Sequence, residues 1–141
     1  ANFDELSGAR LKVGEKVKEF DRSKRDDKGA LQWGDPGDQG KIKASYNSWI
    51  GKVQKLRVVS FATSEEEAQL AQATPVMELA VLADGKEADA LKVLKTPDPK
   101  ADAKSESKEI YWATSSFLGG YAKLSASRVV PIEKDLPTIL E

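Results

Sequence analysis

One stretch of this chain repeats its apolar residues with a helical period and the rest does not, and that contrast limits the fold before anything else. Ile42, Tyr46, Trp49, Ile50, Val53 and Leu56 fall at i, i+4, i+7, i+8, i+11 and i+14, a single stripe. The spacing predicts an amphipathic helix over 41–56, with Lys41, Lys43, Asn47, Ser48, Lys52 and Gln54 on its other side. Gly51 is its weak interior position, worth about 1 kcal/mol relative to Ala, and is expected to mark close packing. A helix with one apolar stripe needs a second layer to bury it, and the remaining segments read as strands.

Leu11, Val13, Val17 and Phe20 lie among charges over 9–22 and are interrupted at Gly14-Glu15, which gives one bent strand or two short ones. Residues 22–29 form a charged run with a turn at Asp27-Lys28-Gly29, and Leu31-Gln32-Trp33 reads as the return strand of a hairpin. Pro36 and the glycines of 34–40 break regular structure before the helix. Beyond it, Arg57-Val58-Val59-Ser60-Phe61-Ala62 is a strand. Thr63 or Ser64, followed by Glu65, Glu66 and Glu67, reads as the capped, acid-rich start of a short helix over about 64–71. Asp84-Gly85 between two apolar runs predicts a type I′ hairpin, because both residues tolerate positive φ. Residues 95–108 lack apolar anchors and read as a mobile loop. Strands are expected at 109–114 and 121–124, with a turn at Gly119-Gly120. The tail carries Val129, Val130, Ile132, Leu136, Ile139 and Leu140, and reads as short helical turns interrupted by Pro131 and Pro137.

Clustered strands, rather than alternating strand and helix, predict an α+β fold: mainly antiparallel sheet or sheets of short strands, with the 41–56 helix packed on a face. A chain of 141 residues suits one domain over 1–141, large enough to bury a core without disulfides.

The chain has no His and no Cys, so imidazole general bases, thiolate nucleophiles, zinc sites and iron–sulfur ligation are closed to it. Lys and Arg number 22 against 23 Asp and Glu, and a net charge of -1 argues against nucleic acid. No apolar run approaches the ~20 residues that span a bilayer. Ala1 in place of Met leaves open that this is the soluble portion of a longer, membrane-anchored protein. Asp26-Asp27 and the pair Asp35 and Asp38 could offer oxygens to Ca²⁺, but they lack the spacing of a calcium loop and read as turn residues. Ser105-Glu106-Ser107-Lys108 matches S-x-x-K in the most polar stretch of the chain, where chance explains it better than a desolvated lysine. No catalytic, cofactor-binding or metal-binding residue is assigned, and the balance leans away from an enzyme.

The aromatic residues are the remaining signal. Tyr46 and Trp49 sit on the helix stripe and are expected in the core. Tyr111 and Trp112 are adjacent in a strand and must face opposite sides, so one of them is open to exposure. Tyr111, Trp112 and Tyr121 are therefore the candidate partner surface.

Several of these landmarks occur together in a known order. They are Lys28-Gly29-Ala30-Leu31-Gln32-Trp33, the helix leading into the 56–61 strand, Thr74-Pro75-Val76-Met77-Glu78-Leu79, the hairpin at Ala83-Asp84-Gly85-Lys86, and the strands at Tyr111-Trp112 and Tyr121-Ala122. In that order the chain resembles the bacterial domain of unknown function 4340 family, although Ala73-Thr74 stands where the family pattern has Gly-Leu. The resemblance implies a domain held at the bacterial envelope, on the extracytoplasmic side, by an N-terminal membrane segment. It also implies a setting beside transporter or gliding-type components, with no established catalytic residues. Two functions are left open. One is a non-enzymatic envelope domain that binds or positions a protein partner through a sheet edge or an exposed aromatic patch. The other is a ligand- or glycan-binding domain, or a carboxylate-based hydrolase, with a groove lined by Trp and Tyr. A concave pocket with convergent carboxylates and an exposed Trp would favour the second; an open strand edge would favour the first.

Overall fold

The computed structural model describes residues 6–37, 41–98, 108–115 and 120–140. Asp38, most of the 95–108 loop, the S-x-x-K serine Ser105 and Gly119 lie outside the described residues. Eight strands run in chain order with three helices: β1 (Gly8–Val13), β2 (Lys16–Arg25), β3 (Leu31–Gly34), α1 (Ala44–Gln54), β4 (Val58–Phe61), α2 (Ser64–Leu70), β5 (Thr74–Ala83), β6 (Lys86–Pro97), β7 (Glu109–Ser115), β8 (Ala122–Leu124) and α3 (Ala126–Ile139). The strands form one sheet in the order β3-β2-β1-β5-β6-β7-β8-β4, and every neighbouring pair is antiparallel. The fold is α+β.

Turn chemistry accounts for the hairpins. Gly14 at φ 60 joins β1 to β2, so the N-terminal segment is two strands. Asp84 at φ 51 and Gly85 at φ 77 carry the predicted β5–β6 turn. Between β2 and β3, the Asp26 carboxylate accepts from the backbone of Lys28 and Ala30 and from Gln32 Nε2, at 2.8–3.0 Å. The Ala30 amide leads these bonds in holding its pKa below the ordinary 3.8. Asp26 is thus spent on the turn. Asp35 is likewise engaged, accepting from the Tyr46 hydroxyl at 2.8 Å.

Register shows which side chains share a face, because residues directly opposed across an antiparallel pair point the same way. Leu11 opposes Leu79, which opposes Leu91; Met77 opposes Val93, which opposes Ala113; Tyr111 opposes Leu124. These residues join one hydrophobic cluster with Tyr46, Trp49, Ile50 and Val53 of α1 and Val129, Ile132, Leu136 and Ile139 of α3. The helical contribution to this core therefore comes from a pair of helices rather than from one. Trp49 Nε1 donates to the Ile132 carbonyl at 3.1 Å and Lys52 reaches Asp135 at 2.6 Å, which fastens the pair together.

Four local expectations change. The helix begins at Ala44, with extended backbone at Lys43 (φ -117, ψ 113), because 41–43 lie along β3 instead. Ile42 accordingly leaves the stripe, bridges Gly34 and is 39% exposed. Nothing lies within 4 Å of where a Cβ on Gly51 would sit, so that glycine does not mark close packing. The tail is one continuous helix through Pro131 and Pro137. Each proline forgoes a backbone bond, yet the stripe Val129, Ile132, Leu136 and Ile139 buries completely enough to hold the helix together. Finally, 95–97 belong to β6 rather than to a loop.

Candidate functional site

The three aromatic residues of the expected partner surface are separated by the fold. Tyr111 and Trp112 do alternate across β7, but both faces are covered there: Tyr111 is 2% exposed and Trp112 1%. Tyr111 lies in the core under the two helices, and its hydroxyl donates to Glu133 of α3 at 2.5 Å. Trp112 lies on the other face and donates from Nε1 to Thr96 Oγ1 at 2.9 Å. Gln69 and Gln72, at the end of α2, share a concavity with that threonine, so α2 reaches the second face beside Trp112. Both members of the pair are therefore buried, and neither offers an exposed aromatic. Tyr121 is half-buried and borders a separate hollow of about 500 Å³ on the same face as the row Lys12, Glu78, Lys92 and Thr114.

Trp33, Trp49 and Trp112 are 5%, 1% and 1% exposed, which leaves no tryptophan to line a groove. The densest cluster of charges joins β6 and β7 to α3: Lys95 contacts Glu133 at 2.8 Å and Glu109 at 3.4 Å, beside the Tyr111 hydroxyl. Burial works to raise the Glu133 carboxyl, but hydrogen bonds from Lys95 and Tyr111 together with the lysine charge outweigh it, and its pKa lies below the ordinary 4.5. The Glu133 hydrogen bond leads in holding the Lys95 ammonium above 10.5. Each group fixes the other in its charged form, so neither gives up or takes a proton near neutrality. The cluster serves as a clamp on α3. Among the described residues, no three His, Cys, Asp or Glu side chains gather as metal ligands, and no helix is long and apolar enough to cross a membrane.

The unusual surface is at one end of the sheet. β4 pairs with β8 on one side and with no strand on the other among the described residues. Its four residues are all exposed: Val58 by 50%, Val59 by 62% and Phe61 by 64%, with Ser60 between them. The pairing with β8 slips in register between Val58 and Ser60 and is extended at its ends by Ser125 N to Arg57 O at 3.2 Å and Ala62 N to Tyr121 O at 2.9 Å. The Thr63 capping box with Glu66 then turns the chain sharply into α2, which holds the strand's far end in place.

The opposite edge is filled. Trp33 N donates to Asn47 Oδ1 at 2.8 Å, and Asn47 Nδ2 donates to Trp33 O at 3.0 Å, so a side-chain amide occupies the place of a neighbouring strand. Lys43 N also reaches Trp33 O at 3.0 Å, and Asp35 N reaches Lys41 O at 3.1 Å. Gly34 makes this approach possible: a Cβ there would lie 2.2 Å from the Lys41 carbonyl.

Val58, Val59 and Phe61 were legible as a strand but not as a site. A run of apolar residues without alternating polar partners reads as a buried strand, and only sheet order reveals that it is an edge. Its lack of Lys, Pro or inward charge is the signal that points there, while its shortness and the slip in register between Val58 and Ser60 protect it only in part. No family model, curated protein or solved structure matches this chain.

Proposed function

We propose that this chain is a non-enzymatic protein-interaction domain that accepts an extended strand at β4. The observation that carries the reading is the unequal treatment of the two sheet edges: one is closed by Asn47, while the other pairs with no further strand among the described residues and exposes three apolar side chains. Strand addition suits such an edge, because main-chain bonds supply the attachment and alternate side chains supply selectivity. In the setting implied by the resemblance to the 4340 family, such a domain positions a protein partner on the extracytoplasmic side of a bacterial envelope, beside a transporter. The alternative, a ligand or glycan groove, has the hollow beside Tyr121 but no exposed tryptophan to stack on a sugar.

A displayed library of random hexapeptides panned on the immobilised domain tests the reading. Enriched peptides are expected to be rich in β-branched and aromatic residues and to lose binding to Val59→Lys/Phe61→Lys, a variant that charges the edge without touching the core. Peptides that bind this variant equally well, or no enrichment at all, would overturn it.

A further inference from the structure

The sequence on either side of β4 is charged asymmetrically. Lys55 and Arg57 precede the strand, Glu65 and Glu67 come after it, and 58–61 between them carry no titratable group. All four charged side chains are exposed. None of them makes an ion pair among the described residues, where the pairs involve Lys24, Lys43, Lys52, Lys95 and Arg10. Both acids occupy the first turn of α2, where the helix dipole favours them.

An edge that is basic at its start, apolar in its middle and acidic at its end complements itself in one orientation. Laid antiparallel, the basic end of each copy meets the acidic end of the other; laid parallel, like charges meet. Val58 and Phe61 lie opposite Leu124 and Ala122 and so share a face, and antiparallel pairing would bring Val58 of each copy towards Phe61 of the other, a β-branched and aromatic pair of the kind that stabilises neighbouring strands. We propose that the strand received at β4 comes from a second copy of this chain, joined as an antiparallel two-fold dimer through Val58–Phe61. This rests on β4 being a strand-accepting edge and adds what occupies it.

Charge reversal at each end tests the inference by sedimentation. One variant carries Lys55→Glu and Arg57→Glu, making both ends of the edge acidic. The other carries Glu65→Lys and Glu67→Lys, making both ends basic; Glu66 is retained because it completes the Thr63 cap. Wild type is expected to dimerise as its concentration rises, each variant to dimerise at least about tenfold more weakly, and an equal mixture of the two to recover a mixed dimer. Circular dichroism checks that both variants are folded. Reversal variants that dimerise as well as wild type, a mixture that stays monomeric, or a wild-type monomer at all concentrations would each overturn the second-copy inference. The peptide-display result with Val59→Lys/Phe61→Lys separately decides whether the edge accepts strands at all.

Discussion

At the β3 edge the outward backbone of Trp33 meets a side-chain amide and a crossing segment of chain, while at the β4 edge the side chains of Val58, Val59 and Phe61 meet solvent. Both strands are four residues long and both end the same sheet. The difference lies in where the chain goes on leaving each strand. Beyond β3, residues 41–43 lie back along its edge and lead into α1, which delivers Asn47 from its first turn. β4 leads through a tight cap into α2, which departs at once and leaves the edge bare. An unprotected edge is a template for association, so a chain that closes one edge and leaves the other open has one direction in which to grow.

The largest contrast is between the aromatics inside the sheet and the one at its open edge. Tyr111→Ala and Trp112→Ala are each expected to cost roughly 3–5 kcal/mol in denaturant unfolding, since both leave cavities and free the bonds to Glu133 and Thr96. Phe61→Ala is expected to change stability by no more than about 0.5 kcal/mol while weakening association. A small loss at Trp112 would mean that its face is open after all.

Asn47→Ala breaks the closed edge. It strips the Trp33 amide of its acceptor and removes one of the two donors to Trp33 O, at an expected cost of about 1–3 kcal/mol, and exposes the β3 edge at that amide. Chain-length assemblies larger than a dimer should then appear in light scattering; a variant that stays no larger than wild type would show that Asn47 does not guard the edge. Gly51→Ala works the other way, with free space for the added methyl and an expected gain of about 0.5–1 kcal/mol. By stiffening α1 it should slow exchange of the Trp33 amide and leave β4 unchanged.

The smallest effect is that of acid. Burial works to raise the Asp21 carboxyl, but hydrogen bonds from Ser23 and Lys24 hold its pKa below 3.8. A carboxylate whose folded pKa is depressed stabilises the fold above its unfolded value, and that contribution disappears as pH falls through the folded one. Lys24 spans Asp21 and the Asp35 carbonyl, both at 2.9 Å, so acidification below 3.8 should loosen the β2–β3 side. β4 carries no titratable side chain and should show no such step of its own in residue-resolved exchange.

Much of this architecture is legible in local sequence. Asp84-Gly85, Thr63 with Glu66, and the stripe from Tyr46 to Val53 act through neighbours a few residues away, and each is found where the pattern puts it. The errors have a common cause. Ile42 continues the helical period yet serves the β3 edge, and Pro131 breaks the period rule yet sits inside a helix that the core holds together. Tyr111 and Trp112 alternate as expected, but whether each face is covered depends on packing far from β7 in the chain, as with Glu133 against Tyr111. Sheet order has the same origin: nothing within 57–62 says that β4 pairs with β8, far along the chain, and with no other strand among the described residues. Long-range placement determines exposure, and the site is a matter of exposure.

Residue-resolved amide exchange at rising protein concentration compares the two edges directly. Trp33 and Asp35 should be protected at every concentration, because their partners lie within the chain, whereas the amides of Val58–Phe61 that do not bond to β8 should exchange freely when dilute and become protected as copies meet. Amides at β4 that stay unprotected at every concentration, or a Trp33 amide that exchanges as freely as they do, would contradict the division of the sheet into a closed edge and an open one.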